Sequence, residues 1–290
     1  MTVIELIEQM STRLEQAGVS FGHGTTNAFD EAAWLVLWSL GHPLDALDLV
    51  AEQPVDEAQA TKAAALVERR VSTRQPAAYL TGEAWLQGVP FSVDERVIVP
   101  RSLIAECIAD ATIDPWLGAK THRVLDLCTG NGSLAVLAAM AWPDVELIAS
   151  DLSADALAVA RTNVRRHELQ DRIQLAQGDG LAALVGQAPF DLILCNPPYV
   201  NTQSMAELPA EYRAEPEMAL AGGSDGMDFI RSLLRDAPVH MTPTAVLVLE
   251  IGHEREHFEA AFPALDVIWL PTSAGDDQVL LITREALAAS

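Results

Sequence analysis

The tetrapeptide Asn196-Pro197-Pro198-Tyr199 contains the residue types that point most directly to chemistry. Both prolines have a fixed φ and lack an N–H, so the turn is stiff and its carbonyl oxygens are free to accept hydrogen bonds. The side-chain oxygen of Asn196 and the carbonyl of Pro197 could each bind one hydrogen of a planar, conjugated NH₂ group, which Tyr199 could cover by stacking. Because such a nitrogen is weakly nucleophilic, the turn indicates catalysis by positioning, at ~3–3.5 Å from an electrophile.

A glycine-rich loop forms a second candidate site. The spacing Gly130-x-Gly132-x-x-Ala135 follows a predicted strand and permits a close approach of the backbone to a ligand. Asp151 lies 21 residues after Gly130, at the end of the next predicted strand, where a carboxylate can accept both hydrogen bonds of a ribose diol. The loop therefore predicts a nucleotide-like cofactor. It does not separate NAD from S-adenosylmethionine, because both present an adenosine ribose.

Two further carboxylates favour S-adenosylmethionine. Asp126, at the end of the strand before the loop, would repel a pyrophosphate and attract the amino group and the sulfonium of S-adenosylmethionine. Asp179 follows the third strand of the predicted sheet, between Gly178 and Gly180, and could meet the adenine amino group. We therefore expect S-adenosylmethionine as the cofactor.

The spacing of apolar residues predicts the elements that hold these two sites. Apolar residues recur at helical spacing over residues 3–70, in roughly four helices. Runs over 83–87 and 91–99, broken by Gly88 and Pro90, predict a β-hairpin. Short strands then alternate with helical patterns, which is typical of a parallel sheet covered by helices on both faces. We expect seven strands, over 123–127, 145–150, 173–177, 191–195, 245–251, 267–270 and 278–283.

These patterns divide the chain into three parts. Residues 1–75 form a predicted helical domain, residues 76–117 a β-hairpin and linker, and residues 118–290 an α/β domain. The last two strands should pair antiparallel, since only Gly and Asp residues lie near their joint. The fold class is thus α/β with a Rossmann-like, mostly parallel sheet, and both candidate sites fall at the carboxyl ends of its strands, where ligands bind.

The charge of the chain limits its partners. The sequence has 18 basic and 41 acidic side chains, a net charge of −23, and the deficit is spread along its length. No segment offers a basic surface for a phosphate backbone or an anionic membrane, so we expect neither nucleic-acid nor membrane binding. A field of this sign would attract a cationic partner such as a basic protein. An acidic surface that serves only solubility is an equally good explanation of the charge.

Metal, redox and membrane signals are weak. The three cysteines are far apart in sequence, which favours a reducing cytosol and no zinc site. His253-Glu254-Arg255-Glu256-His257 matches a zinc-protease pattern, but no third ligand is evident and we expect no metal. The longest apolar stretch, 134–142, is about half a membrane span. We expect a cytoplasmic protein without a signal peptide.

The two sites together resemble the class I S-adenosylmethionine-dependent methyltransferases. With the upstream helical domain, the whole chain is similar to the glutamine N5-methyltransferases that act on translation proteins. One branch of that family methylates peptide chain release factors, and another methylates large-subunit ribosomal protein L three. The ribosomal branch is more similar over residues 21–27, 78–85, 93–102 and 208–217. Ser102 supports it further, because the release-factor branch usually has a second proline there.

The resemblance implies a fold, a reaction and a set of residues. It implies a seven-stranded sheet with an antiparallel last strand, an N-terminal domain that recognises the substrate, and methyl transfer to the amide nitrogen of a glutamine. Both sets of residues map onto the turn: the catalytic residues are Asn196, Pro197 and Tyr199, and the substrate-binding residues are these three and Pro198. Together with Asp126, the implied cofactor contacts are Cys128, Thr129, Gly130, Asn131, Gly132, Asp151, Asp179, Gly180 and Asn196. Cys128 stands where a glycine is frequent in related methyltransferases, and its side chain could narrow the pocket.

Three other functions are compatible with parts of the pattern. The acceptor could be a release factor rather than a ribosomal protein. An adenine-N6 DNA methyltransferase could use the same Asn-Pro-Pro-Tyr chemistry, but the chain lacks a basic surface for DNA. A ribosome assembly factor without catalytic activity would not need the cofactor loop and Asn196. We therefore predict a glutamine methyltransferase with a basic ribosomal protein as its substrate.

Overall fold

The computed structural model describes residues 1–289, and its first part is helical. Two helices begin with a capping box, in which Thr2 pairs with Glu5 and Asp56 pairs with Gln59, and each arrangement satisfies two free backbone N–H groups. Asn27 caps a third helix, since its side chain accepts a hydrogen bond from Asp30 N. The helices are α1 (Val3–Ala17), α2 (Ala28–Leu40), α3 (Leu47–Val50), α4 (Glu57–Thr73) and α5 (Ala77–Thr81).

A two-stranded hairpin connects the helices to the sheet. Its strands are β1 (Glu83–Leu86) and β2 (Val89–Ser92), which pair antiparallel. Gln87 and Gly88 form the turn, both with positive φ, as a two-residue hairpin requires. The predicted second strand over 91–99 is too long, because the chain turns after Ser92 and finds no partner strand. Pro90 does not break the hairpin but lies within β2, where a two-stranded ribbon tolerates a missing N–H.

The rest of the chain forms a seven-stranded sheet in the order β5-β4-β3-β6-β7-β9-β8. All seven predicted strands are present, and β9 runs antiparallel to both of its neighbours. The strands are β3 (Arg123–Leu127), β4 (Glu146–Asp151), β5 (Ile173–Gln177), β6 (Phe190–Cys195), β7 (Met241–Glu250), β8 (Ile268–Thr272) and β9 (Gly275–Thr283). The helices are α6 (Ile104–Ala109), α7 (Ser133–Ala141), α8 (Ala154–Arg166), α9 (Thr202–Glu207), α10 (Asp228–Asp236), α11 (Arg255–Ala261) and α12 (Arg284–Ala289).

Helices cover both faces of this sheet, as the continuous apolar strands predict. In β6, Leu192 and Leu194 pack into the cluster that contains α6 and α7, whereas Ile193 and Cys195 pack into the cluster that contains α10, α11 and α12. Successive side chains of a strand point to opposite faces, so each strand supplies both cores. Over the described residues, no helix is long and apolar enough to cross a membrane.

Helix α8 joins the three parts of the structure. Its residues Ala156 and Val159 pack into the core of the helical region, and Val164 packs under the sheet. The buried amide of Asn163 accepts a hydrogen bond from Ser92 N at 2.7 Å and donates to Ser92 O at 2.9 Å and Asn131 O at 2.8 Å. One side chain therefore connects the hairpin to the glycine-rich loop.

Candidate active site

A cavity opens at the carboxyl ends of β3, β4 and β6. It encloses about 1030 Å³, counting its opening to solvent, which is enough for a nucleoside-sized ligand. Asn196 and the glycine-rich loop both line it, because Leu127 and Cys195 are register partners on adjacent parallel strands. The strand order thus brings together two sites that lie far apart in sequence. Of the predicted residues, the cavity is lined by Cys128, Thr129, Gly130, Asn131, Asp151, Asp179, Gly180, Asn196 and Pro198.

The glycine-rich loop has the backbone that close approach to a ligand requires. Gly130 and Gly132 have positive φ, and a Cβ on Gly132 would lie 3.2 Å from the Cβ of Ala160 in α8. Cys128 also adopts positive φ, at 61°, a conformation that favours glycine. Gly132 does not line the cavity but allows the loop to pack on α8.

Asp151 organises this loop from the end of β4. One carboxylate oxygen accepts a hydrogen bond from Gly130 N at 2.9 Å, and the other accepts from Ser153 N at 2.9 Å. Burial raises the pKa of Asp151, and the backbone hydrogen bonds from Ser153 and Gly130 oppose that shift. Each oxygen keeps a second lone pair, so the carboxylate can still accept hydrogen bonds from a ligand in the cavity.

Asp126 lies beneath the loop rather than in the cavity. Its carboxylate accepts hydrogen bonds from Thr129 Oγ1 at 2.5 Å and from Ala135 N at 3.0 Å, and the residue is fully buried. Burial raises the pKa of Asp126 to about 7, against the opposing effect of these hydrogen bonds. The geometry makes Asp126 a support for the glycine-rich loop, while its second oxygen, Oδ1, has no hydrogen-bond partner in the protein, and the cofactor contact stays a prediction.

The chain that follows β5 contributes Asp179 and Gly180, as the sequence predicts. Both line the cavity beside Phe229 of α10, whose ring lies 3.5 Å from the position of a Cβ on Gly180. A larger residue at position 180 would therefore close the space in front of this ring. Phe229 supplies an apolar surface of the kind on which a planar base can pack.

The Asn-Pro-Pro-Tyr turn is held from behind by a glycine-rich segment. Val200 N donates to Leu220 O at 2.8 Å, and Gly222 N donates to Val200 O at 2.9 Å. A Cβ on Gly222 would lie 2.7 Å from the Cα of Tyr199, so only glycine permits this packing. The backbone of the turn is therefore fixed, and Asn196 and Pro198 lie at the cavity wall.

Tyr199 and Pro197 do not line the cavity. The ring of Tyr199 packs on Gly252, and its hydroxyl donates to Glu250 Oε1 at 3.4 Å. Burial and the nearby Glu250 carboxylate raise the pKa of this hydroxyl, which stays protonated. The ring supports the turn from this position, and its predicted stacking on a bound amide stays a prediction. Pro197 is buried, and its side chain is absent from the lining.

The residues of the cavity fit S-adenosylmethionine. Asn131 Nδ2 and Ser150 Oγ are buried polar atoms of the lining that have no hydrogen-bond partner in the protein. The lining also contains two cations, Arg96 and Arg101, but each is ion-paired with a carboxylate of the protein. Free polar groups and carboxylates, without a free cation for a pyrophosphate, match the ribose, amino and sulfonium groups of this cofactor.

Sequence reasoning missed two of the cavity walls. The linker contributes residues 96–102, including Arg101 and Ser102, and the chain after the turn contributes residues 216–219. The first segment begins in the run over 91–99 that predicts a strand, the second has no helical or strand periodicity, and Phe229 has the pattern of an amphipathic helix. The sequence signal that could have identified the second wall is the pair of glycines at 222 and 223, which marks a close backbone approach.

The zinc-protease pattern has a structural role. His253 precedes α11, which begins at Arg255, so the two histidines do not share a helical face. His257 Nδ1 lies 2.5 Å from Glu254 Oε2, and the other oxygen of Glu254 accepts from Asn201 Nδ2 at 2.7 Å. Within residues 1–289, no group of three or more His, Cys, Asp or Glu side chains could hold a metal ion.

Comparison with known proteins connects this geometry to a family. Residues 5–82 match the model of the PrmC N-terminal domain, and residues 103–212 match that of the methyltransferase small domain. The ribosomal protein uL3 glutamine methyltransferase of Bordetella pertussis is 52% identical over 288 residues, which cover 99% of this chain and 96% of that protein. The chain belongs to the ribosomal protein uL3 glutamine methyltransferases. The resemblance found in the sequence is thus confirmed, and the protein is an S-adenosylmethionine-dependent methyltransferase.

Other uL3 glutamine methyltransferases also match over nearly the whole chain. The Burkholderia pseudomallei protein is 52% identical over 300 residues, covering 99% of this chain and 96% of its own. The Xanthomonas campestris protein is 40% identical over 291 residues, covering 100% and 94%. The hMettl16 catalytic domain, solved with MAT2A 3′UTR hairpin 1, superposes with a TM-score of 0.52 at 15% identity over 81% of this chain and 83% of its own. That likeness confirms the predicted methyltransferase fold.

Proposed function

We propose that this protein transfers a methyl group from S-adenosylmethionine to the side-chain amide nitrogen, N5, of a glutamine in ribosomal protein uL3. The family of its relatives supports the acceptor. The observation that carries the reaction is the position of Asn196, which lines the same cavity as the glycine-rich loop and Asp151. A substrate amide bound at Asn196 would share one enclosed space with the cofactor.

The chain holds the cofactor through residues of two kinds. Asp151 and Asp179 offer carboxylates, and the unpaired Asn131 Nδ2 and Ser150 Oγ offer polar contacts without a competing protein partner. Phe229 supplies an apolar surface. When bound, the cofactor supplies an electrophilic methyl group on a sulfonium.

Asn196 and Pro197 orient the substrate in our proposal. The side-chain oxygen of Asn196 and the carbonyl of Pro197 accept one hydrogen each from the glutamine NH₂, which fixes the plane and direction of the amide. Because the amide nitrogen is a weak nucleophile, this orientation contributes most of the rate, and ~7–11 kcal/mol is available from positioning in favourable cases. Pro198 lines the cavity beside Asn196 and helps to exclude water. Tyr199 acts on the turn from behind, where its ring packs on Gly252.

The variant Asn196→Ala tests this assignment. Removing one of two acceptors releases the amide, so we expect kcat for methylation of uL3 to fall at least about 100-fold. The dissociation constant for S-adenosylmethionine should change little, since the glycine-rich loop is intact. Methyl transfer is measured with labelled cofactor, and cofactor binding by calorimetry. Gln203→Ala, which removes an exposed amide on α9, is the matched control. Near-normal turnover of the Asn196 variant would contradict the role of the turn.

The acceptor is tested by comparing candidate proteins. We expect mass spectrometry to find an added ~14 Da, one methyl in place of hydrogen, on uL3 and none on release factors or DNA incubated with the same enzyme. The net charge of −23 supports a basic protein and opposes a polyanion. A preference for release factors would assign the protein the acceptor of the release-factor branch of the family. Binding of uL3 without methylation would favour an assembly factor.

The cellular location and the binding partners of the protein follow from the same proposal. A modifier of a ribosomal protein works in the cytoplasm, and the net charge of −23 supports an enzyme that binds neither membrane nor nucleic acid directly. The proposed reaction uses no metal ion, because a sulfonium methyl is already an electrophile.

A further inference from the structure

Three buried carboxylates connect the helical region to the catalytic turn. Glu211 and Glu215 belong to the chain that follows the turn, and Glu250 ends β7. Their exposed fractions are 2%, 5% and 4%, so each carboxylate depends on protein partners for its stability. We call these three residues the carboxylate bridge.

Glu211 attaches the bridge to the helical region. It accepts hydrogen bonds from Ser20 N at 3.1 Å and from Arg70 of α4 at 3.2 Å. Arg70 is fully buried and also donates to Glu31 of α2 at 2.8 Å. Arg74 lies 3.4 Å from the same oxygen of Glu211. The positions of α2 and α4 therefore fix this end of the carboxylate bridge.

Glu215 is the central member. Its carboxylate receives a two-pronged interaction from Arg101 at 2.6 and 2.7 Å and a hydrogen bond from Val99 N at 2.8 Å. His23 of the helical region lies 3.5 Å from it and packs against the Tyr212 ring, at 4.3 Å between ring centroids. Burial alone would raise the pKa of Glu215, but His23 and Arg101 outweigh burial and hold it at about 2. The group is therefore a carboxylate at neutral pH.

Glu250 attaches the bridge to the catalytic turn. It accepts hydrogen bonds from Ser102 Oγ at 2.5 Å and Leu103 N at 2.9 Å on one oxygen, and from the Tyr199 hydroxyl at 3.4 Å on the other. Ser102 follows Arg101 directly, so the linker wall is held by Glu215 and Glu250 together. The contacts therefore form a continuous path from the helical region to Tyr199 of the catalytic turn.

The bridge also fixes both walls that line the cavity beside the turn. Arg101 and Ser102 belong to one wall, and Pro216, the residue after Glu215, belongs to the other. A guanidinium bound by both prongs has a defined plane, so the Arg101–Glu215 pair sets the separation of the two walls. Because both walls line the cavity that contains Asn196, their separation affects how an acceptor amide is oriented there.

We propose that Glu215 is a positioning residue through which the helical region sets the geometry of the acceptor slot, so that this region contributes to the rate of methyl transfer itself. The proposal rests on the proposed function and extends it. If the helical region only recognised the acceptor protein, its contacts with Glu215 would affect the binding of that protein and not the rate after binding. The two roles make opposite predictions for kcat and KM.

The variant Glu215→Gln separates these roles. It keeps the size of the side chain and removes the charge that holds Arg101. We expect kcat to fall about 100-fold, as for a misplacement of ~1 Å, with KM for uL3 and the dissociation constant for S-adenosylmethionine changed less than about threefold. A short peptide that contains the target glutamine should lose kcat to the same extent, although it is too small to contact the helical region. Glu68→Gln, in an exposed pair with Arg13 on the same region, should behave as wild type.

The opposite pattern would overturn the proposal. A recognition role predicts a higher KM for uL3, an unchanged kcat, and an unaffected peptide reaction. Since loss of a buried charge can unfold a protein, His23→Gln provides a second variant that leaves the Arg101–Glu215 pair in place. We expect the same pattern there with a smaller fall in kcat.

Hydrogen exchange tests the bridge without any acceptor. The Val200 N–H, which bonds to Leu220 O, should exchange at least tenfold faster in Glu215→Gln, while the Leu147 N–H of β4, which bonds to Arg172 O, keeps its protection. Unchanged exchange at Val200 would refute the coupling of the bridge to the turn. This measurement stays decisive if the wild-type protein fails to methylate uL3, a result that would refute only the proposed function.

Discussion

Asp151 combines two tasks at the end of β4. Its oxygens hold Gly130 N and Ser153 N, each keeps a lone pair for a further hydrogen bond, and the residue lines the cavity. The residue therefore both shapes the cofactor loop and offers acceptors to a ribose. A carboxylate at this position is more than a helix cap, because an amide could accept through only one of its two terminal atoms.

Asp151→Ala should weaken cofactor binding. A charge-assisted hydrogen bond contributes ~1.5–3 kcal/mol, so the loss of even one such bond raises the dissociation constant for S-adenosylmethionine roughly 10-fold to 150-fold. Calorimetry measures this constant directly. Asp155→Asn removes one exposed charge from the first turn of α8 and serves as the control. An affinity equal to that of the wild type would place the ribose elsewhere.

At the level of single residues, the sequence predicted the groups whose position follows from a strand end. Asn196 and Asp151 line the cavity, as expected from their places after β6 and at the end of β4. Asp126 and Tyr199, for which we predict direct contacts, do not line the cavity, because a side chain can also turn away from the sheet edge and pack beneath it, and those contacts stay predictions. Whether such a residue supports a loop or contacts a ligand depends on its rotamer, which spacing does not reveal.

The element that fixes the catalytic turn is the segment around Gly222 and Gly226. Gly226 has a φ of 80°, and a Cβ there would overlap the carbonyl oxygen of Tyr199. Gly88, in the hairpin turn, has a similar φ of 73° but open space around it. The two glycines thus share a backbone conformation and differ in what surrounds them.

This difference makes a matched pair of variants. Gly88→Ala should cost about 1–2 kcal/mol of unfolding free energy, the strain of left-handed backbone alone. Gly226→Ala adds overpacking, so its cost should reach about 3 kcal/mol or more. It should also lower kcat, because the turn must shift. Denaturant unfolding and methyl-transfer assays give both quantities. Equal effects of the two variants would show that the contact with Tyr199 is not rigid.

At the level of elements, the parallel strands were predictable because strands buried on both faces are continuous apolar runs. The hairpin was predicted too long, since the alternating run over 91–99 continues as extended chain after its partner strand has ended. The cavity walls at 96–102 and 216–219 were not predictable. The first wall overlaps a run that predicts a strand and the second has no repeating pattern, and the bonds that hold them, such as Val99 N to Glu215, join residues 116 positions apart.

The charge of the whole molecule affects how fast it meets its acceptor. With 18 basic and 41 acidic side chains, the protein has a long-range field that attracts cations. Several acids are internal and paired, as in the carboxylate bridge, so the field arises from the remaining exposed ones. Such a field acts on the association rate more than on the final contacts.

Salt should therefore slow association with uL3. Between ~0.1 M and ~1 M salt the Debye length falls from ~10 Å to ~3 Å, and we expect the association rate constant to fall about tenfold or more. The dissociation rate should change much less. Rapid-mixing fluorescence on the two purified proteins measures both rates, with an uncharged osmolyte as the control. An association rate that does not respond to salt would assign the acidic surface to solubility alone.

The contacts of Asn163 have a mechanical consequence. Three hydrogen bonds from one buried amide join the hairpin to the glycine-rich loop, so these two segments move as a single rigid body. A reactant that enters or a product that leaves cannot separate them without breaking all three bonds at once. A reactant or product must therefore pass these two segments as one unit, and the exposed side chain of Met218 is a part of the lining that the Asn163 bonds do not hold.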